Sequence, residues 1–163
     1  MIQKRPETLV LGIDPGTAAM GFSFVGKSGY SLSLLDYGCI TTTPKQTLPE
    51  RLLVIYKTLK KIVKKHKPAV LAIEKLFFSK NVRTAMSVAQ ARGIALLVAA
   101  ENSLEVFEYN PQQIKLSVTG WGGADKRQVQ EMVKRILGLK VCPTPDDTAD
   151  AIAVAICHLN TNN

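Results

Sequence analysis

The stretch Val10-Leu11-Gly12-Ile13-Asp14-Pro15-Gly16 decides how the chain is read. Its first four residues are apolar or glycine, which suits a strand buried on both faces, and the Pro-Gly pair after Asp14 is turn chemistry. Asp14 therefore stands at the end of a buried strand, at the edge of a core. A carboxylate there costs free energy to desolvate unless it is paired, hydrogen-bonded or bound to a cation. Asp-Pro-Gly is also an ordinary turn opener, so the role of Asp14 depends on what the rest of the chain brings to it.

Downstream of the turn, residues 20–26 and 30–43 carry partial alternation and β-favouring side chains around Lys27-Ser28-Gly29, which predicts two antiparallel strands and a tight hairpin. Over residues 48–65 the apolar positions Leu48, Leu52, Ile55, Leu59 and Ile62 recur every three or four residues. This is an amphipathic helix with a lysine-rich last turn, stopped by Pro68. Residues 69–73 repeat the opening pattern, a short apolar run closed by a carboxylate, Glu74. The segment Phe77-Phe78-Ser79-Lys80-Asn81 then leads into a helix over residues 82–100 that is apolar on more than one face, which suits either a helix sandwiched within a single domain or one that also meets a second subunit. A strand over 104–109, a short helix after Asn110-Pro111, a glycine-rich loop around Trp121, a basic helix over 125–137 and a last helix from about Asp146 complete the chain. The order predicts an α/β fold, one central sheet covered by helices, in a single domain spanning residues 1–163.

Lys and Arg number 21 against 13 for Asp and Glu, a net charge of +8 that favours a polyanionic partner such as nucleic acid. No apolar stretch reaches the roughly 18 residues needed to span a bilayer, and Pro6 and Glu7 interrupt the N-terminus before any signal-like segment develops. A cytoplasmic location without membrane contact is the expectation. Cys39, Cys142 and Cys157 form no C-x-x-C pair and are expected to be reduced. His66 and His158 add no zinc pattern.

Asp147 and Asp150 are three apart and so share one face of the last helix. Thr144 as N-cap, Pro145 at the first helical position and Asp147 in an acidic first turn would account for one of them structurally. Asp150 lies a turn deeper beside the apolar stripe, and Asp146 competes with Asp147 as its neighbour. Two strand-end carboxylates and a helical pair thus gather negative charge inside a basic protein. Hard divalent cations with oxygen ligands relieve such repulsion, and two of them roughly 3.5–4 Å apart support phosphoryl displacement by water. The chemistry implied is metal-assisted phosphodiester hydrolysis. No Ser or Cys is paired with a His in a pattern that offers another nucleophile.

In these residues the sequence resembles the RuvC family of Holliday junction resolvases, nucleases of the RNase H-like fold. The resemblance rests on Gly-Ile-Asp-Pro-Gly at 12–16, Ala-Ile-Glu at 72–74 followed by Phe-Phe-Ser-Lys-Asn, Gln-Ala-Arg-Gly at 90–93 and Asp-Thr-Ala-Asp-Ala at 147–151. It implies a central mixed five-stranded sheet flanked by helices, and catalytic, metal-binding acids at Asp14, Glu74, Asp147 and Asp150, which decides against Asp146. Some members of the family carry His where this chain has Asp147. It further implies Mg²⁺ as cofactor, with Mn²⁺ as a substitute and two ions per site, and a homodimer that makes paired symmetric nicks in a four-way junction during recombination and DNA repair. The branch-migration complex of RuvA and RuvB is the implied partner. Phe77 is the aromatic that would reach the junction centre, and Lys80, Arg83, Lys115 and Lys126 are the candidate DNA contacts. Trp121 is left open between stacking on a base and local packing.

Three other classes are weighed. Gly-Ile-Asp-Pro-Gly-Thr resembles the phosphate loop of actin- and Hsp70-type ATPases, but no second lobe is present. A non-catalytic junction-binding protein would not need all four acids. A related nuclease acting on other branched DNA or on RNA-DNA hybrids would differ only in substrate.

Overall fold

The computed structural model describes residues 6–76 and 82–162. Its elements follow the expected order: β1 (Thr8–Asp14), β2 (Ala19–Ser28), β3 (Ser31–Thr41), α1 (Leu48–His66), β4 (Val70–Glu74), α2 (Val82–Glu101), β5 (Glu105–Tyr109), α3 (Pro111–Thr119), α4 (Lys126–Ile136) and α5 (Asp146–Thr161). The strands form one mixed sheet in the order β3-β2-β1-β4-β5. β1, β2 and β3 are joined antiparallel by tight connections, whereas β4 and β5 run parallel to β1 and are reached through helices. This is the mixed five-stranded α/β arrangement expected from the sequence.

Both faces of the sheet are covered, which is why β1 and β4 read as unbroken apolar runs rather than alternating ones. Leu9, Leu11, Ile13, Leu71 and Ile73 pack with Ile55, Leu59 and Val63 of α1 and Ala91, Ala95 and Val98 of α2. Val10, Val70 and Ala72 face the other way, into a cluster with Ile152 and Ile156 of α5, Ile114 of α3 and Val129 of α4. α5 is buried from Ala151 to Leu159 on every side. It is the central helix, and its alanines Ala151 and Ala155 lie close against Gly12 of β1.

Two expectations shift in detail. α1 ends one residue beyond the expected turn because Lys67 takes the left-handed conformation and donates its N–H to the Val63 carbonyl at 2.8 Å. At the start of α5, Pro145 rather than Thr144 is the N-cap, since its extended backbone (ψ 175°) stands outside the helix. It offers no side-chain cap, and its carbonyl accepts the Thr148 N–H at 2.9 Å. Asp147 therefore lies in the first turn without a capping role.

α2 leaves Met86 58% and Leu97 50% exposed on the side away from the sheet. The second apolar face read in its sequence is real, and among the described residues nothing covers Met86 and Leu97.

Candidate active site

Asp14 ends β1 and Glu74 ends β4, at the same edge of two parallel neighbours in which Ile13 lies beside Ile73. Side chains alternate along a strand. With Ile13 and Ile73 directed into the α1–α2 core, Asp14 and Glu74 fall on the face that carries α5. The carboxyl ends of parallel strands are where open α/β sheets place their binding crevices.

Two glycines bring α5 to that edge. A Cβ at Gly12 would run into the backbone carbonyl of Ala151, and one at Gly21, the residue paired with Asp14, would run into the carbonyl of Asp147. With no side chain at either position, the helix lies directly on β1 and β2. The Ser23 hydroxyl fastens it there by donating to the Ala151 carbonyl at 3.1 Å, in the fully buried interior. Asp147 and Asp150, both half-buried, are thereby carried to the end of β1. Gly12, Gly21 and Ser23 were not singled out from sequence. Only the glycine spacing along the strands hinted at them, and its meaning depends on which helix lies above.

The four acids act on one another. Burial pushes the Asp14 carboxyl up to about 8, helped by the negative charges of Asp150, Glu74 and Asp147. Glu74 is raised by burial and by Asp150, and eased by Lys115. Asp150 is raised chiefly by burial, against the pull of Lys126. Among the described residues no three His, Cys, Asp or Glu side chains already converge as a finished ligand set. Their negative charges raise one another across a gap where a cation would relieve the repulsion on Asp14, Glu74 and Asp150.

A positive group already leans into that gap. Lys126, at the first position of α4, holds its ammonium 3.1 Å from Asp150 Oδ2 and 3.3 Å from Asp146 Oδ2. Burial works against its charge, but the hydrogen bonds to Asp150 and Asp146 outweigh it and keep the ammonium protonated above the usual range. An all-carboxylate donor set in which Asp14, Glu74 and Asp150 are raised, with a single ammonium beside it, fits a hard divalent cation. A cleft of about 220 Å³ opens here between Glu74, Asp150, Lys115 and Lys126, over an apolar floor that includes Ile114 and Val129. A second, of about 190 Å³, lies beside Asp14 and Glu74 and is walled by Pro15, Lys75 and Val88. Glu74 stands between the two.

Of the expected DNA contacts, Lys115 and Lys126 line the first cleft. Arg83 falls in the opening turn of α2, and its side chain, like Phe77 and Lys80 entirely, lies outside the described residues. Trp121 is 60% exposed, rests on Gly123 and borders a separate groove with Arg127 and Arg135. Asp146 is drawn to Gln130 and Lys126 on α4.

Comparison with known proteins bears on the chain as a whole. A family model described as crossover junction endodeoxyribonuclease RuvC matches residues 10–158. The RuvC crossover junction endodeoxyribonuclease of Desulfitobacterium hafniense (strain DSM 10664 / DCB-2) is 50% identical over 155 residues, 95% of this chain and 94% of that protein. Its counterpart in Chloroflexus aggregans (strain MD-66 / DSM 9485) is 53% identical over 151 residues, 93% of this chain and 92% of the relative. The solved structure of T. thermophilus RuvC in complex with Holliday junction substrate aligns with a TM-score of 0.89 at 34% identity, covering 94% of this chain and 93% of that one. With a family match over most of its length and half of its residues shared with these resolvases, this chain belongs to the RuvC family of crossover junction endodeoxyribonucleases.

Proposed function

We propose that this chain resolves Holliday junctions by paired symmetric nicks, with Asp14, Glu74, Asp147 and Asp150 as its catalytic acids. The observation that carries the reading is the meeting of strand-end and helical carboxylates with two lysines at one open edge of the sheet. The likeness to a junction-bound RuvC supports it across nearly the whole chain.

The family is one of divalent-metal-dependent nucleases. In this chain the four carboxylates would hold the metal, Asp14 central, with Glu74 on one side and Asp147 and Asp150 completing the set. Mg²⁺ is the physiological ion in this reading, Mn²⁺ a working substitute, and two ions fill the site. Bound there, the metal supplies an activated water and neutralises charge on the leaving oxygen. The protein's own part is positional. Burial of Asp14 and Glu74 keeps bulk water from screening them, and α5 holds Asp147 and Asp150 on a rigid element rather than a loop. Lys115 and Lys126 receive the phosphate backbone on the wall of the cleft. Phe77 enters the junction centre, with Lys80 and Arg83 as further backbone contacts.

A four-way junction has two symmetric scissile phosphates, so two copies of the chain are required. The uncovered Met86 and Leu97 on α2 support a homodimer through that face. RuvA and RuvB are the branch-migration partners in this reading, residues 1–163 form a single nuclease domain, and the setting is the cytoplasm. Among the described residues no helix is long and apolar enough to cross a membrane.

The test replaces each acid by its amide, Asp14→Asn, Glu74→Gln, Asp147→Asn and Asp150→Asn, and follows binding and cleavage of an immobile junction separately. All four should bind, since lysine–phosphate contacts supply the affinity, and none should cut. Cleavage at the unmodified rate by any one of them would remove that residue from the site.

A further inference from the structure

Asp146 opens α5, four residues before Asp150, and is not one of the four acids assigned to the metal. Its contacts run to α4. Gln130 Nε2 donates to Asp146 Oδ1 at 3.0 Å, and the Lys126 ammonium stands 3.3 Å from Asp146 Oδ2. Lys126 and Gln130 are four apart and so share one face of α4. The same ammonium is 3.1 Å from Asp150 Oδ2. Lys126 thus straddles a carboxylate inside the site and a carboxylate at its rim, and Gln130 holds the outer one in place.

We infer that Asp146 is a positioning residue for Lys126: it keeps the ammonium parked at the rim when a divalent cation takes Asp150. The inference rests on the metal reading of the four acids. An ammonium on Asp150 competes with an incoming cation for the same oxygen. With Asp146 at 3.3 Å, Lys126 can yield Asp150 without losing its ion pair or leaving the cleft. Without Asp146, the ammonium's remaining carboxylate is Asp150, and the cation must strip it of its partner. The side chains have the freedom this requires, Lys126 being 52% and Asp146 63% exposed while Asp150 is only 29%. The charges that bear most on Asp14 are those of Asp150, Glu74, Asp147 and Lys126, and Glu74 feels Asp150 and Lys115. On Asp150 the negative charge of Asp146 also acts directly, raising its carboxyl, whereas Asp14 and Glu74 feel Asp146 through Lys126.

The test is a double-mutant cycle read by direct Mn²⁺ binding to the intact protein, by calorimetry, with no DNA present. Asp146→Asn should weaken Mn²⁺ binding about three- to five-fold, the scale of one exposed ion pair. Asp146→Glu should restore it, and Gln130→Ala, which loosens the clamp at unchanged charge, should move it part of the way. In a Lys126→Gln background the Asp146→Asn change should shift binding by less than about two-fold, because there is no ammonium left to park. An equal loss in both backgrounds would overturn the inference, since Asp146 would then be acting by its own field. Unaltered binding in Asp146→Asn would overturn it too. Failure of the unmodified protein to bind Mn²⁺ at all would overturn the metal reading itself, and is distinguishable from either.

Discussion

Replacing Asp14 by Asn should make the metal-free protein more stable while removing its nuclease activity. In the fold the Asp14 carboxyl is pushed up from the ordinary 3.8 to about 8 by burial and by three neighbouring acids. A raised carboxyl favours the folded state only while it keeps its proton. Between the two values the folded chain holds a proton that the unfolded chain has released, so stability falls as pH rises from about 4 to about 8. At pH 7, about three pH units above the ordinary value, the penalty approaches 4 kcal/mol at about 1.4 kcal/mol per unit. Relaxation of the neighbouring carboxylates takes up part of it, leaving about 2 kcal/mol, or roughly 4–8 °C in Tm for a chain of this size. Asn has nearly the same shape and no charge, and should recover that difference. The assay is urea or thermal unfolding in EDTA at pH 5, 7 and 8.5, for the unmodified protein and Asp14→Asn. The gap should be small at pH 5, widen to pH 8, and close when millimolar Mg²⁺ stabilises the unmodified protein more than the variant. A variant less stable than its parent at every pH would refute the picture of mutually repelling, buried acids.

Other expectations can be checked alongside. Gly21→Ala, which forces a Cβ against the Asp147 carbonyl, should cost about 1–3 kcal/mol by overpacking and suppress cleavage more than junction binding, as measured by unfolding and gel shift. His158 is buried and accepts or donates a hydrogen bond with the Tyr109 hydroxyl at 2.8 Å, and burial holds its proton affinity below the usual 6.5. The unfolded chain therefore takes up the proton first, and stability present above pH 6.5 should be lost as pH falls below it. His158→Gln should flatten that acid limb in a pH series of melting curves. Among the described residues the fully buried Thr148 hydroxyl has no hydrogen-bond partner, so Thr148→Val should raise stability by about 1 kcal/mol in urea unfolding, and a loss would reveal a hidden partner. Junction affinity should fall steeply with salt, and Lys115→Ala should make that slope shallower by about one counterion. An unchanged slope would take Lys115 off the phosphate backbone.

Much of this was legible in the chain because strands and helices announce themselves differently. Val10–Ile13 and the run before Glu74 are apolar without alternation, which marks strands covered on both faces, and each ends in a carboxylate that has no business in a core. The three-residue spacing of Asp147 and Asp150 needs only a helix to become a shared face. What stayed hidden depended on which surfaces meet. Gly12 and Gly21 look like weak strand residues until α5 is laid on them. The pairing of Asp146 with Lys126 joins the starts of two helices separated by a proline-rich connection, and no local pattern reports it. Thr144 looked a better N-cap than Pro145 because its hydroxyl could cap, yet the extended backbone at Pro145 delays the helix by one residue. The two-faced composition of α2 was visible, whereas which of its apolar residues stay exposed was not, since Met86 and Leu97 read like core residues in a sequence.

The most direct measurement is incubation of the purified protein with a synthetic immobile four-way junction, a matched linear duplex and a matched RNA-DNA hybrid, each with Mg²⁺ and with EDTA. The expected result is a pair of nicks at symmetric positions in the junction alone, present with Mg²⁺ and absent with EDTA. Cleavage of the hybrid or duplex in preference to the junction, nicking that survives EDTA, or tight junction binding with no nick in any sequence tested would contradict the assignment of this chain as a metal-dependent resolvase.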